Sequence, residues 1–372
     1  MPKIALVVNE PPPYRIPIFN RIAQMPGVTF QVIFCCRREP NRKWNLPPLN
    51  FDHVFLRERI TTINGRYIHN NPDVLLKLSR FSPDVIVTNG FNPTHLYTFA
   101  YAMAKGVAYV PMTDGTNISE QALSRIHRLV RRTVYARSRA FIAASAGSDK
   151  LYRSYGIPRE KYFRSSLCID NEAFAPGLLP PEKVFDFIFC GRMEAGKSPL
   201  FALQVAAEAA QRLKRKATIL FVGSGSLEAE VKEAALACGH LVDATFHGFA
   251  TQQELPALYQ SARVFLFPTV ADVWGVVANE ACAAGLPVIV SPHAGVAGEL
   301  VRNGENGFVR ELELAKWADC ATRLLMQPDE RRRFSDRSLA LVSQYTFSRA
   351  ATGIVDACRH ALKQSARMTV MP

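Results

Sequence analysis

The chain has 372 residues, 48% of them hydrophobic and 21% charged, with a mean hydropathy of −0.01, which excludes a disordered chain and supplies apolar side chains for more than one core. Its most apolar windows, 263–268 and 286–290, are strand-sized rather than membrane-spanning, and the apolar start ends at Asn9 and Glu10, too soon for a signal peptide, so a cytoplasmic protein is expected. The net charge of +13 is concentrated in residues 1–180, with 24 Lys+Arg against 12 Asp+Glu, whereas the remainder carries 21 against 20; a basic half suits an anionic lipid surface, a polyanionic acceptor or nucleic acid, or is simply a solvated face.

Short β-branched or aromatic runs, each followed by a stretch of helical period, predict βαβ units in parallel sheets. In the first half strands are expected at 3–8, 28–34, 84–88, 108–112 and 140–144, with helices near 15–24, 72–79, 94–105, 119–137 and 148–155. Prolines from Pro176 to Pro181 mark a linker. A second series follows, with strands at 185–190, 217–222, 244–247, 263–267 and 287–291, helices at 199–213, 227–238, 252–261 and 276–284, and closing helices to about Lys363. The expected fold is α/β: two doubly wound Rossmann-like domains, 1–175 and 182–346, facing a central cleft, with 347–372 rejoining the first.

Three segments of the second half carry chemistry. After strand 185–190 come Gly191, Arg192 and Lys197, then a proline-started helix; a guanidinium fork and an ammonium five residues apart suit a diphosphate, or are solvated loop cations. Gly223, Ser224 and Gly225 imitate a dinucleotide fingerprint, but Glu228 occupies its third glycine position, so a nicotinamide reading is rejected and Gly223 is read as a tight turn that keeps side chains out of the site. The third segment ends a strand at Pro268, passes Asp272 and Gly275 in a loop, and starts a helix near Val276. The amides of Gly275 and Val276 would face an anion, and Glu280, one turn in, would accept from a vicinal diol such as a ribose.

These segments resemble the retaining family 4 glycosyltransferases of the GT-B fold over nearly the whole chain. Gly191, Arg192 and Lys197 match that family's Gly-Arg-Leu pair and following Lys. Glu280, Ala281, Ala283, Gly285, Pro287 and Val288 match the end of its Glu-x7-Glu motif, with Asp272 in place of the first Glu. Asn303, Gly304, Asn306 and Gly307 match its Asp-Gly-x-Asn-Gly turn. The resemblance implies a nucleotide diphosphate sugar as donor substrate and a glycan or lipid-linked acceptor; no metal is expected, since fixed cations take its place and no carboxylate cluster suggests a binding site. The resemblance places Arg192 and Lys197 on the donor phosphates, Glu280 on the ribose, the loop from Asp272 to Val276 on the transferred sugar and Phe249 beside the base.

The chain departs from the pattern in three places. Aspartate at 272 shortens the reach to the sugar, and the first loop, from Asn9 to Phe19, is rich in proline where many relatives carry glycine. Relatives often place a His after the fourth strand of the first domain; here stands Asp114, read as an acceptor-side base or electrostatic partner of the developing charge, or else as an N-cap for a helix starting near Ser119 or a turn residue. Residues 125–137 alternate arginines with apolar Ile126, Leu129, Val130 and Val134, a pattern of a core-facing helix or of a peripheral membrane contact. The 8 cysteines show no paired or metal-ligand spacing. An epimerase acting on the same kind of donor is the rival enzyme reading, and a nucleic-acid binder, for which no aromatic-basic motif is present, the rival outside enzymology.

Overall fold

The computed structural model describes residues 1–40, 46–63, 65–121, 123–177 and 183–369. The chain divides into two compact units, one joining Met1–Leu167 to Phe347–Pro372, the other running Cys168–Thr346. Of the expected linker, residues 178–182 lie outside the described residues. Residues 168–175, assigned by sequence to the first domain, belong to the second unit. There Gln260 Nε2 donates to the carbonyl of Phe174 at 3.0 Å and Asn171 Nδ2 to those of Val342 and Tyr345 at 3.1 and 3.0 Å.

In the first unit β1 (Lys3–Val8), α1 (Ile16–Ala23), β2 (Thr29–Phe34) and β3 (Asp52–Phe55) precede a hairpin of β4 (Ile60–Ile63) and β5 (Arg66–His69). Then come α2 (Val74–Phe81), β6 (Val85–Thr88), α3 (Pro93–Lys105), β7 (Ala108–Thr113), α4 (Arg125–Arg137), β8 (Phe141–Ala143), α5 (Ala146–Ser154) and β9 (Tyr162–Arg164). Seven strands form a parallel sheet in the order β3-β2-β1-β6-β7-β8-β9. Its central strands are apolar on both faces because helices cover both, as β1 shows, where Ile4 through Val8 are buried without alternation.

The second unit opens with α6 (Asn171–Phe174) and continues β10 (Phe185–Cys190), α7 (Pro199–Leu213), β11 (Ala217–Val222), α8 (Glu228–Ala237), β12 (Val242–Gly248), α9 (Leu255–Gln260) and β13 (Ala262–Phe267). It ends with α10 (Val276–Ala283), β14 (Val288–Val290), β15 (Gly307–Val309), α11 (Leu314–Met326) and α12 (Pro328–Val342). Its parallel sheet has the order β12-β11-β10-β13-β14-β15. The long α13 (Phe347–Thr369) returns to the first unit, packing Ala351, Ile354, Val355, Ala357 and Cys358 out of solvent.

One expected helix changes. Residues 117–121 are turns held by Thr116 and Ser119, whose backbone and hydroxyl groups bond each other reciprocally, and α4 starts only at Arg125, where the Ser124 hydroxyl accepts from the His127 N–H. Strands β3, β4, β5, β9 and β15 are additions to the expected set. Each is three or four residues long, and β4 is largely exposed, so none offers the long buried run that marks a central strand.

Candidate functional site

In the second sheet the chain order reverses between β10 and β13, the kind of switch point that opens a crevice at the C-terminal strand ends of a doubly wound sheet. The loops leaving those two strands are tied together. Val270 N–H and the Thr269 hydroxyl both donate to the carbonyl of Gly196, at 3.0 and 2.9 Å, and Lys197 Nζ lies 2.6 Å from Asp272 Oδ2. The other carboxylate oxygen of Asp272 accepts from the Trp274 N–H at 3.1 Å, closing an Asx turn, while its backbone pairs with the carbonyl of His293 and the N–H of Gly295. Trp274 is buried and donates from Nε1 to Asn279 Oδ1 at 2.8 Å. Asp272 is therefore fixed by its own turn as well as by Lys197.

Gly275 caps α10 with φ of 101°, and a Cβ there would stand 2.4 Å from the Phe267 ring, so only glycine lets the helix start this close to the strand end. The N–H groups of the first turn, beginning at Val276, have no carbonyl four residues back within the helix to bond, although that of Ala278 donates to the Gly275 carbonyl at 2.9 Å. Inside α10, Glu280 is 6% exposed and accepts from the Tyr259 hydroxyl at 2.8 Å. Burial pushes its carboxyl up to about 7, against the opposing effect of the tyrosine bond. Burial likewise drives the Tyr259 phenol well above its usual range, which fixes it as donor, and raises the neighbouring Cys190 thiol to about 12, with the Glu280 charge adding to the effect.

On the other side of β10, Gly223 has φ of 120° and a Cβ there would fall 2.1 Å from the carbonyl oxygen of Gly191. Its N–H donates to Gly248 at 2.7 Å, and Gly191 N–H donates to Val222 at 2.9 Å, so the ends of β10, β11 and β12 are knitted into one rim. Phe249, the residue after β12, is 77% exposed at that rim. Arg192 extends into solvent, 72% exposed, with Glu194 at 2.9 Å as its one ion-pair partner among the described residues.

The structure thus joins Lys197, Asp272, Gly275 and Val276 through direct contacts or chain continuity, with Glu280 one turn deeper, and sets Arg192, Gly223 and Phe249 along the same strand edge. Asp114 belongs to the other unit, at the end of β7, where its carboxylate is ion-paired to the guanidinium of Arg15, a buried side chain that also donates to the carbonyl and hydroxyl of Ser165 at 3.1 Å. The N-cap reading of Asp114 falls, because that carboxylate serves Arg15 and α4 is capped by Ser124. Sequence reasoning missed Tyr259 and Thr269. Tyr259 sits among apolar residues of a short helix and gives no polar signal, whereas Thr269, directly after the strand-ending Pro268, could have been picked out by position.

Known structures resemble the chain along its length. Anabaena HepE in complex with UDP and glucose superposes with a TM-score of 0.70 at 14% identity, covering 100% of both chains. WaaG, a glycosyltransferase involved in lipopolysaccharide biosynthesis, gives 0.65 at 15% identity over 95% of this chain and 98% of its own. The chain has the GT-B fold. Within this GT-B chain, residues 170–339 match the family model of group 1 glycosyl transferases, a span inside the second unit that contains Arg192, Lys197, Asp272 and Glu280. Among curated sequences, the D-inositol 3-phosphate glycosyltransferase of Frankia alni is 33% identical over 217 residues, 53% of each chain. That of Nocardia farcinica is 30% identical over 193 residues, 50% of this chain and 42% of the relative. The chain spans about half the length of these curated relatives.

Proposed function

We propose that the protein is a glycosyltransferase that moves a sugar, with retention, from a nucleotide diphosphate sugar to an acceptor hydroxyl of a glycan or lipid-linked saccharide in polysaccharide or glycoconjugate assembly. The observation that carries the reading is the meeting of Lys197, Asp272 and the N-terminus of α10 at the switch point of the second sheet, with Glu280 buried one turn behind them. In donor-free protein Asp272 neutralises Lys197. An arriving diphosphate takes over that ammonium, Arg192 swings its exposed guanidinium onto the same group, and the α10 amides complete the anion site. Asp272, relieved of its partner, offers the freed carboxylate oxygen to the sugar while the other stays in its turn with Trp274, and Glu280 accepts from the ribose hydroxyls once ionised.

As the bond between sugar and diphosphate loosens, these fixed positive groups take the leaving charge without a metal, and the acceptor attacks from the leaving-group side. Phe249 offers an aromatic face to the base, and Gly223 keeps the rim free of side chain. Asp114, held by Arg15, serves the acceptor hydroxyl. The protein works in the cytoplasm, against the inner face of the membrane. A panel of UDP-, GDP- and dTDP-sugars measured by thermal shift tests the donor site: one class should raise the melting temperature of the wild type and not of Lys197→Ala or Arg192→Ala. Equal stabilisation of all three proteins would refute the assignment. Release of free nucleoside diphosphate on transfer separates the proposal from an epimerase.

A further inference from the structure

The arginine-rich helix α4 resolves differently from a core-facing stripe. Only its second half is seated: Val134 and Tyr135 are buried in the first unit's core, while Ile126 is 74% and Leu129 64% exposed. Ile118, in the turns between β7 and α4, is 59% exposed. Large aliphatic side chains this open, grouped within a dozen residues, are unusual on a soluble surface unless something covers them.

The polar residues around them have one sign. From Arg125 to Arg137 the helix carries five arginines and no Asp or Glu. Arg131 is spoken for: Nε lies 2.7 Å from Glu120, the guanidinium stacks 4.3 Å over the Phe91 ring, and the Tyr155 hydroxyl donates to the same Glu120 at 3.0 Å. That network pins the turn bearing Ile118 to the body of α4, so the apolar residues are presented from a fixed support. Arg125, Arg128 and Arg132 make no ion pair among the described residues, although Arg128 Nη2 reaches the carbonyl of Gln121 at 3.5 Å. A protein partner or a second copy would have to answer three aliphatic side chains, and three guanidinium groups without an ion pair among the described residues, with a matching acidic surface. A bilayer with anionic headgroups answers both at once, taking the aliphatic groups at the acyl boundary and the guanidinium groups at the phosphates.

We infer that Ile118, Ile126 and Leu129, flanked by Arg125, Arg128 and Arg132, form a docking surface for an anionic lipid bilayer. The inference deepens the proposed membrane placement and rests on it. The surface continues into the loop after β7 that carries Asp114, four residues before Ile118, so docking brings the bilayer surface to the strand edge at which the acceptor group is proposed to stand.

The test is co-sedimentation of the full chain with vesicles, without any donor. Vesicles of phosphatidylglycerol and phosphatidylcholine should retain the wild type, and pure phosphatidylcholine should retain it roughly tenfold less. Ile126→Ser with Leu129→Ser, on the exposed half of the helix, should leave the melting temperature unchanged and weaken retention by a similar factor. Arg125→Gln, Arg128→Gln and Arg132→Gln together should abolish the preference for the anionic vesicles. Retention that is indifferent to headgroup charge, or unchanged in the serine pair, overturns the inference. So does a stable dimer, seen by light scattering without lipid, that the serine pair dissociates. Nucleotide-sugar stabilisation measured on the same proteins is independent of lipid, so loss of donor binding and loss of vesicle binding identify separate failures.

Discussion

Replacing Glu280 with glutamine separates the cost of burying a carboxylate from its use in binding. With an ordinary value of 4.5 and a folded value near 7, the difference of about 2.5 corresponds to about 3 kcal/mol. The sign follows from which state holds the proton. Below pH 4.5 both folded and unfolded chains carry a neutral carboxyl and nothing is lost; between 4.5 and 7 the folded state keeps a proton that the unfolded state has released, so stability falls as pH rises, and the loss is complete above 7. Glu280→Gln cannot ionise, so its stability relative to wild type should improve by about 3 kcal/mol from pH 4.5 to pH 8, roughly 6–12 °C in the melting temperature of a domain of this size. Any penalty for the amide against Tyr259 is the same at every pH and does not change the slope. Parallel melts from pH 4.5 to 8 measure it. Donor binding should respond in the opposite sense: in the proposed binding mode ribose hydroxyls donate to the ionised carboxylate, so wild-type affinity should weaken about tenfold per pH unit below 7, while the glutamine variant binds weakly throughout. A pH-independent difference between the two melting curves would refute the buried-carboxylate argument, whatever the nucleotide result.

Two further substitutions probe the same unit. Tyr259→Phe removes the hydroxyl that holds the Glu280 carboxyl down, so the pH midpoint of nucleotide-sugar affinity should move to higher pH; a shift to lower pH would show that the hydroxyl does not stabilise the charged form. Gly223→Ala would force a Cβ to 2.1 Å from the Gly191 carbonyl oxygen at a φ of 120°, and thermal denaturation should show a loss of at least about 3 kcal/mol. An unchanged melting curve would mean that the β10–β11 rim yields more readily than its hydrogen bonds imply.

The legible parts of the sequence were those in which one residue type answers one geometric demand. The central strands read directly because both faces of a parallel sheet are apolar, and the loops at their C-terminal ends read because Gly191 and Gly223 stand immediately after such strands, with Lys197 and Gly275 in the loops that lead from a strand to the next helix. Edge strands such as β3 and β9 did not read, since half of their pairing surface is missing and their residues are mixed. The start of α4 was misplaced because Ser119 and Ser124 are both plausible caps, and the choice rests on Glu120 being drawn back to Arg131 and Tyr155, a contact between residues far apart in sequence. Glu280 was visible as a residue but not as a buried one, because its depth is set by Tyr259 and Cys190, which arrive from two other elements.

Asp272 shows why a one-methylene departure from a familiar pattern changes more than reach. An aspartate can accept from the N–H two residues ahead within its own turn, and Asp272 does so with Trp274, while its second oxygen holds Lys197. A glutamate at that place would carry its carboxylate past the turn. The loop would then lose the bond that positions Trp274, whose ring packs on Tyr345 at 5.5 Å and whose indole N–H anchors Asn279 in the first turn of α10. The short side chain therefore couples three things: the conformation of the loop, the start of the helix whose amides are proposed to face the anion, and the electrostatic pairing of the lysine. Any ligand that draws Lys197 away leaves one oxygen of Asp272 unpaired while the turn stays closed. The carboxylate becomes available at the moment the anion is bound, in a loop that has not had to move.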